Sequence, residues 1–407
     1  MIRSVFRYAT SICAIAAMLA GCGIRDGNSP VPGAMSLAAT ATTSSFKVLY
    51  TFKGGSGDGE SPSGGLVNVN GTLYGTAVGA GSAGKGVIFS VTPNGAEKIL
   101  HAFQGDSGAK PEAGLIDVDG KLYGTTYGGG HTSCGCGTVY RITTSGAYGV
   151  IHNFAGGSDG ARPEGGLVDV NGTLYGTTNL GGGGTCTLEG DEEGCGTIYS
   201  VTTNGTEKII GTFADETAGE FPTAGLIAVH GSLYGTTSEG GVDAQGTLFR
   251  ITTAGVKKVL HNFGAGSDGR GPQAALLSVK NILYGTTRGG GSLSERKGTV
   301  FSMGLKGGEN VLHSFSGPPD GSLPQAPLID VDGLLYGTTP LGGAGSSNLG
   351  TVFSITTTGT ENVLHSFTGG PGGSYPSSGL IDLNGTLYGT TAGDGSANHG
   401  TVYTLTP

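Results

Sequence analysis

The densest set of side chains that could bind a cation lies in a single loop of the sequence. Glu189, Asp191, Glu192 and Glu193 stand within five positions, between two cysteines. Their carboxylate oxygens are hard ligands of the kind that calcium prefers, although the spacing is not that of an EF-hand loop. We interpret this segment as a solvated acidic loop, with calcium binding as the alternative, and the sequence predicts no other cofactor or metal.

Five histidines recur at one position of an internal repeat: His101, His152, His261, His313 and His365. A ring of metal or acid–base sites would require the same residue in every copy, but the other two copies hold Tyr50 and Gly211 there. Because successive residues of a strand point to opposite faces, this position is expected to pack between repeats. We therefore interpret these histidines as structural.

The chain lacks the patterns of the common catalytic sites. Its glycine-rich stretches stand between predicted strands and open no helix, so they resemble neither a nucleophile elbow nor a phosphate-binding loop. No pair of carboxylates stands out by its setting. The absence of tryptophan also counts against a sugar site built on flat aromatic platforms.

The charge of the chain bears on its partners. The formal net charge is −9, and no cluster of lysine and arginine is visible in the sequence. Nucleic-acid binding relies on such clusters, so we expect no nucleic-acid partner. The acidity itself is typical of solubility through mutual repulsion.

The elements that carry these residues come from a repeat marked by Leu-Tyr-Gly-Thr. Its seven copies begin at Leu73, Leu122, Leu174, Leu233, Leu283, Leu335 and Leu387. Their tyrosines are 49, 52, 59, 50, 52 and 52 residues apart. A period near fifty is the length of one four-stranded blade, and the sequence therefore predicts an all-β, seven-bladed β-propeller of antiparallel blades.

The sixth repeat shows the predicted blade clearly. We expect its strands at 327–331, 335–339, 350–355 and 362–367, with a type I′ turn at Asp332-Gly333 between the first two. Loops between the second and third strands, and between blades, are long and vary from copy to copy. Function is therefore expected on the face that carries these long loops.

A proline also recurs four residues before the leucine of each first strand. These prolines are Pro62, Pro111, Pro163, Pro222, Pro272, Pro324 and Pro376. Having no amide proton and a fixed φ, proline suits the entry to a strand.

The two ends of the chain predict how the ring closes. The last repeat stops after the third strand, near Leu405, while Phe46–Phe52 has the pattern of a fourth strand and precedes the first repeat. If this N-terminal strand completes the seventh blade, every blade has four strands and no edge is left open.

These motifs resemble a known family. The series Leu-Tyr-Gly-Thr-Thr, Gly-Gly and Gly-Thr-Val-Phe, repeated over about residues 46 to 407, resembles the Gloeobacter and Verrucomicrobia (GloVer) repeat of exported bacterial proteins. More loosely, the units are similar to kelch propeller blades. The resemblance implies a β-propeller at the cell surface or envelope, and it implies no enzymatic activity.

The N-terminus predicts export and lipid anchoring. Arg3 and Arg7 precede a short apolar run, and Leu-Ala-Gly-Cys ending at Cys22 resembles the lipobox of bacterial lipoproteins. We therefore expect residues 1–21 to be a signal peptide, Cys22 to be lipidated, and residues 22–45 to be a flexible tether before a propeller at 46–407. Gly23, in place of Asp, favours the outer membrane.

Four further cysteines are candidates for disulfides: Cys134, Cys136, Cys186 and Cys195. An oxidising compartment favours disulfides over zinc, and the spacing is not that of a usual zinc site. Three pairings are open. One bridge could close the acidic loop between Cys186 and Cys195 and leave the other pair strained or free, or two bridges could tie the second blade to the third.

The sequence favours a lipid-anchored, monomeric envelope protein that presents variable loops as a non-enzymatic binding platform for a protein or glycan ligand. An envelope hydrolase or lyase acting on polysaccharide or peptide at the channel mouth is the first alternative. A structural or adhesive scaffold is the second.

Overall fold

The computed structural model describes residues 44–407 except 189, 190, 193, 215, 265, 266 and 293–295. Seven antiparallel sheets form the ring, six of four strands and one of five. The predicted all-β, seven-bladed propeller is therefore confirmed. The predicted signal peptide, Cys22 and nearly all of the tether lie outside the described residues, and among these residues no helix is long and apolar enough to cross a membrane.

Each blade is built on four strands, which follow chain order in six blades, while the seventh takes its fourth strand from the N-terminus. The first strands are Val67–Val69, Ile116–Val118, Val168–Val170, Ile227–Val229, Leu277–Val279, Ile329–Val331 and Ile381–Leu383. The second strands are Thr72–Ala80, Lys121–Thr126, Thr173–Thr178, Ser232–Thr237, Ile282–Thr287, Leu334–Thr339 and Thr386–Thr391.

The outer half of each blade follows the same plan. The third strands are Val87–Val91, Thr138–Thr143, Thr197–Thr202, Thr247–Thr252, Thr299–Gly304, Thr351–Thr356 and Thr401–Thr406. The fourth strands are Glu97–Ala102, Tyr148–Asn153, Glu207–Thr212, Lys257–Asn262, Gly307–Ser314, Glu361–Ser366 and, for the seventh blade, Ser45–Thr51.

Short elements lie in the long loops. The extra strands are Gly59–Pro62, Thr187–Leu188, Asp191–Glu192, Gly269–Arg270, Gly289–Gly290, Gly321–Ser322 and Leu341–Gly342. The 3-10 turns are Gly157–Asp159, Glu216–Ala218 and Gly370–Gly372.

The N-terminal strand closes the ring as the sequence predicts. Ser45–Thr51 pairs antiparallel with Thr401–Thr406, the last strand of the chain, and Lys47 stands opposite Thr404. The predicted bounds, Phe46–Phe52, differ from the observed strand by one residue at each end. The chain therefore leaves no unpaired edge at its seventh blade.

The tight turns between first and second strands confirm the type I′ prediction. Both central residues have positive φ in every blade, including the two turns that lack Asn-Gly or Asp-Gly. In those turns His230 has φ 49° and Gly231 has φ 72°, while Lys280 has φ 50° and Asn281 has φ 67°. The twist of the hairpin thus dictates the backbone even where the residue types are less suited to it.

The glycine of Leu-Tyr-Gly-Thr is explained by close packing within the blade. A Cβ atom at this glycine would lie less than 3 Å from the aromatic side chain of the third strand in all seven blades. Those aromatic residues are Phe89, Tyr140, Tyr199, Phe249, Phe301, Phe353 and Tyr403. Glycine is therefore required so that a large ring can lie flat against the second strand.

The same aromatic residues join neighbouring blades. A phenylalanine directly after each fourth strand is 0–1% exposed and meets the next blade's aromatic ring edge-on at 5.0–5.5 Å between centroids. The seven phenylalanines are Phe52, Phe103, Phe154, Phe213, Phe263, Phe315 and Phe367. Two of these contacts, Phe52 with Phe89 and Phe367 with Tyr403, flank the blade that both chain ends build.

The threonine of the motif adds a hydrogen bond to the next blade. Its hydroxyl donates to a backbone carbonyl at 2.9–3.4 Å in six of the seven blades. In the last blade Thr390 donates to Pro62 of the first, so the set continues across the closure. Buried polar groups of this kind favour one register of neighbouring blades.

Candidate functional site

A cavity lies on the axis of the ring, at the end that carries the long loops. Its volume is about 580 Å³, and one short segment of each blade, between the recurring proline and the first strand, lines it. The residue directly after the proline lines the cavity in every blade: Ser63, Glu112, Glu164, Thr223, Gln273, Gln325 and Ser377. This position is polar in all seven copies and forms what we call the mouth, whereas leucines such as Leu66 and Leu226 line other parts of the cavity.

The backbone before the proline is held in an unusual conformation. This residue has φ between 53° and 60° in all seven blades, although only one copy is glycine. The residues are Ser61, Lys110, Arg162, Phe221, Gly271, Leu323 and Tyr375. Each N–H donates at 2.7–3.1 Å to a carbonyl of the preceding blade. Left-handed backbone at non-glycine residues is strained, and it persists where surrounding contacts fix it.

The proline itself packs against the preceding blade. In each blade a Cβ added to the glycine before the third strand would lie 2.5–2.8 Å from the Cδ of the next proline. Gly137 against Pro163 and Gly400 against Pro62 are two of the seven contacts. Proline and glycine together therefore fix the segment that presents the mouth residue.

Blades two and three make one side of the mouth acidic. Glu112 and Glu164 occupy equivalent positions in adjacent blades, and Asn179 donates from Nδ2 to Oε2 of Glu164 at 3.1 Å. Burial raises the pKa of Glu112, with Lys110 opposing the rise. Burial, with the charge of Glu112 adding to it, raises the pKa of Glu164 to about 7. Both carboxyl groups therefore keep their protons to a higher pH than an exposed glutamate does.

A tyrosine with two cations stands beside this acidic pair. The Nζ of Lys110 lies 5.7 Å, and the Cζ of Arg162 5.6 Å, from the centre of the Tyr127 ring. Burial raises the pKa of Tyr127, and the charge of Arg162 opposes that rise. Cation–π contacts of this kind hold long basic side chains in place at a rim.

A second cavity, of about 420 Å³, lies beside the mouth between blades four and six. Three guanidinium groups line it, from Arg270, Arg288 and Arg296, together with a single carboxylate, Glu239. Gln273 lines both this cavity and the axial one, so the two adjoin. We refer to Arg270, Arg288 and Arg296 as the arginine cluster. The long-loop face is thus acidic on one side of the mouth and basic on the other.

Comparison with known proteins identifies the family. The family described as Gloeobacter/Verrucomicrobia repeat matches residues 36–187 and 183–403. The chain belongs to this family. No curated protein matches the chain.

Solved structures that are similar to this chain have low sequence identity to it. The BP39L lectin of Burkholderia pseudomallei is 10% identical, with 87% of this chain and 96% of the lectin covered and a TM-score of 0.53. A putative 6-phosphogluconolactonase of Bacteroides fragilis NCTC 9343 is 16% identical, with 78% and 86% covered and a TM-score of 0.49. At these identities the first of them supports the fold alone.

The four cysteines of this family member form two bridges, each inside one loop. Cys134 is bonded to Cys136, and Cys186 to Cys195. The alternative in which two bridges tie the second blade to the third is therefore wrong, and Cys134 and Cys136 are not free. The two cysteines of each pair lie near each other within one loop, with Cα atoms 5.1–5.2 Å apart, and this proximity decides the pairing.

The acidic loop remains a prediction. Glu189 and Glu193 lie outside the described residues, and Asp191–Glu192 forms a two-residue strand paired with Thr187–Leu188. Calcium binding by this loop therefore stays the alternative that the sequence offers.

The recurring histidines lie at the contacts between blades, in two kinds of surroundings. His101 stacks on Tyr148 at 3.8 Å between ring centres, and His365 stacks on Phe46 at 3.9 Å. His152, His261 and His313 instead lie beside an aspartate of the loop that follows and a glutamate of the next blade. Packing between blades therefore agrees with the structure, but the sequence interpretation missed the carboxylates.

Sequence reasoning also missed both features of the mouth. The arginine cluster joins residues 18 and 8 positions apart, so no cluster of basic residues is visible along the sequence. Glu112 and Glu164 are 52 residues apart. Aligning the residue after each proline would have placed those two carboxylates in adjacent blades, because that position is equivalent in every repeat.

We predict that Glu164 makes the stability of the ring depend on pH. Its folded pKa, about 7, lies above the ordinary value of 4.5. The stabilisation is therefore complete below pH 4.5 and is lost as pH rises through 7. The melting temperature of Glu164→Gln minus that of the native chain should therefore increase between pH 5 and pH 8. Ser377→Ala, at the equivalent position of blade seven, should differ from the native chain equally at both pH values. A constant difference for Glu164→Gln would contradict the assignment.

Proposed function

We propose that this protein binds an anionic polysaccharide of the cell envelope on its long-loop face. The observation that carries the proposal is the arginine cluster, which places three guanidinium groups and one carboxylate around a cavity that adjoins the mouth. The planar guanidinium matches carboxylate and sulfate groups with two parallel hydrogen bonds. A basic cavity on a chain of net charge −9 is therefore a local feature that selects a negatively charged ligand.

The polarity of the face favours a glycan over a protein partner. The mouth position carries serine, threonine, glutamine and glutamate, which hydrogen-bond to hydroxyl groups. Protein interfaces usually depend on a cluster of large apolar anchors. Among the described residues only four large hydrophobic side chains are exposed, and they are scattered: Val242, Val256, Ile282 and Tyr375. Val256 and Ile282 follow tight turns at the opposite end of the ring.

The charge pattern of the face also orients the ligand. The arginine cluster would hold an acidic group beside blades four to six, and Gln273 stands between it and the mouth. Neighbouring sugar hydroxyls would then reach the polar side chains of the axial cavity. On the far side Glu112 and Glu164 stand with Lys110 and Arg162, so the excess of positive charge lies at the arginine cluster and one binding direction is preferred.

A hydrolase or lyase is the second candidate, and one observation favours it. Glu112 and Glu164 both line the axial cavity, and burial raises the pKa of each. Glycosidases pair one protonated and one ionised carboxyl group. Glu164 would be the acid because its pKa is about 7.

We also propose that the ring is held at the outer membrane through a lipid on Cys22. The Leu-Ala-Gly-Cys motif supports this, and the first strand of the ring, Ser45–Thr51, begins 23 residues after Cys22. A tether of that length, if flexible, has a root-mean-square span of about 25 Å, enough to keep the ring close to a membrane surface. An anchored receptor of this kind suits a ligand that is itself part of the envelope.

We predict that the arginine cluster governs ligand binding. The native protein should bind a polyuronate or a sulfated glucan, and not a neutral glucan, with an affinity that falls as salt rises. Arg288→Gln and Arg296→Gln should each weaken binding about tenfold or more, since each removes a charge-assisted hydrogen bond. Isothermal titration with each of the three polymers measures these affinities. Comparing the polyuronate with the sulfated glucan shows whether the site prefers carboxylate or sulfate groups.

Arg141→Gln is the matched control for these variants, because Arg141 is an exposed arginine of the third strand in blade two, outside both of the cavities described above. It should leave affinity unchanged. Equal losses for all three variants, or no binding at all, would contradict the proposal and favour a scaffold. If the bound polymer is shortened over time and Glu164→Gln abolishes the shortening, the enzyme candidate is supported.

We predict that Cys22→Ser releases the protein from membranes. Without a thiol the lipid cannot be attached, and the protein should appear in the soluble envelope fraction. Cell fractionation followed by immunoblotting measures the change, with Cys13→Ser as the control that stays with the membrane. A Cys22→Ser protein that remains in the membrane fraction would show that the anchor lies elsewhere.

A further inference from the structure

Three contacts between blades bring together the same three side chains. Each contact combines a histidine of a fourth strand, the aspartate of the loop that follows that strand, and a glutamate near the start of the fourth strand of the next blade. The glutamate is the first residue of that strand in blades three and six and the third residue in blade five. The trios are His152, Asp159 and Glu207; His261, Asp268 and Glu309; and His313, Asp320 and Glu361. In each trio one ligand atom per residue lies within 4.8 Å of the others.

The histidine and aspartate are already held in position. The Nε2 of His261 lies 2.9 Å from Oδ2 of Asp268, and the Nε2 of His313 lies 3.1 Å from Oδ2 of Asp320. The backbone N–H groups of Ser316 and Gly321 donate to Asp320 at 2.9 Å and 2.6 Å. The histidine and the aspartate thus have hydrogen-bond partners without the glutamate, so the presence of the glutamate requires an explanation.

The glutamate occurs only where the aspartate does. Four of the seven contacts have both acids, the fourth being Asp58 with Glu97, where Tyr50 replaces histidine and donates to Asp58 at 2.9 Å. In the other three contacts different residues stand at the equivalent positions of the sequence, although Asp106 and Asp215 occur elsewhere in two of these loops. The residue pairs at the equivalent positions are Ser107 with Tyr148, Ala218 with Lys257, and Gly372 with Phe46.

The three contacts without this pair of acids fill the glutamate's place with other chemistry. Tyr148 and Phe46 stack on His101 and His365, and the Nζ of Lys257 lies 3.9 Å from the centre of the Phe213 ring. An aromatic or aliphatic side chain is therefore enough to fill the place of the glutamate between two blades. Two neighbouring carboxylates repel each other. Beside Tyr50 the phenol hydroxyl donates to Asp58, whereas in the three trios an imidazole replaces the phenol and a cation bound with it would offset the repulsion.

A second observation points to a ligand at the trios. The Oε1 atoms of Glu207, Glu309 and Glu361, like that of Glu97, are buried and accept no hydrogen bond within the described part of the chain, but only in the three trios does a histidine nitrogen lie within 4.8 Å of the glutamate. The Nε2 of His152 is likewise buried without a well-aligned hydrogen bond, although it lies 3.3 Å from Asp159. Buried polar atoms are rarely left unpaired, and a bound ion that accepts their lone pairs would satisfy them.

We infer that each of the three trios binds a divalent transition-metal ion such as Zn²⁺. One imidazole nitrogen and two carboxylate oxygens suit Zn²⁺ or Mn²⁺, whereas Ca²⁺ and Mg²⁺ prefer oxygen ligands alone. Three protein ligands leave positions for water. Because the glutamate belongs to one blade and the other two ligands to the preceding blade and its loop, each ion links two blades and stabilises their contact.

Zinc titration of the purified full-length protein, stripped of metal beforehand, tests the inference. Isothermal titration should give three saturable sites per chain, and elemental analysis after dialysis should give the same stoichiometry. Zn²⁺ should also raise the melting temperature, because it binds the folded chain. Glu207→Gln, Glu309→Gln and Glu361→Gln should each remove one site, and the triple variant should remove all three together with the rise in melting temperature.

Glu97→Gln is the matched control, since Glu97 holds the same place beside Tyr50 in a contact that lacks histidine. It should leave the stoichiometry at three. His261→Gln gives an independent test of the second trio and should again remove one site. Circular dichroism of each variant at 20 °C, before metal is added, must match the native spectrum. Folded variants that retain three sites, or a native protein that binds no Zn²⁺, would overturn the inference.

Discussion

The edge-on contact between a buried phenylalanine of one blade and the third-strand aromatic ring of the next is the interaction on which this structure depends. It occurs seven times with centroid distances of 5.0–5.5 Å and interplanar angles of 61–72°. Such pairs contribute about 0.5–1.5 kcal/mol beyond the area that they bury. Because the cycle includes Phe52 and Phe367, the blade built from both chain ends is packed like the other six, and no repeat serves as a cap.

This uniform inner framework leaves other positions free to differ. The residue after the recurring proline is held by the same backbone geometry in every blade, yet it is glutamate in two blades and serine, threonine or glutamine in the rest. The fourth-strand contacts differ in the same way, with acids at some and stacked rings at others. The ring thus presents seven equivalent places, and its chemistry comes from which residue occupies each of them.

Much of the fold could be predicted from the sequence, because it depends on local rules that repeat. The period of the Leu-Tyr-Gly-Thr motif predicts the number of blades, the Asn-Gly and Asp-Gly pairs predict the hairpins, and the leftover N-terminal strand predicts the closure. The role of the motif glycine could not be predicted in this way. It depends on the ring of Tyr140 or Phe249 lying against Gly124 or Gly235, which is a contact between strands.

The candidate sites were harder to predict, since they depend on contacts between repeats. Arg270, Arg288 and Arg296 look like isolated basic residues until the loops of blades four to six are brought side by side. Asp268 accepts the N–H of Gly264 at 3.2 Å within its own loop, but its neighbour Glu309 lies 41 residues further along the chain. Comparing the repeats with each other position by position is the signal that could have found these pairs.

The pairing of the first and last strands is the claim that supports every assignment of loops and faces, and a disulfide cross-link tests it most directly. Lys47 and Thr404 stand opposite each other in the observed register. In a full chain that also carries Cys22→Ser, Lys47→Cys and Thr404→Cys should form a disulfide within one molecule under mild oxidation, found by mass spectrometry as a single linked peptide. Linkage only between different molecules, or no linkage in a folded protein, would contradict a ring closed by its N-terminal strand.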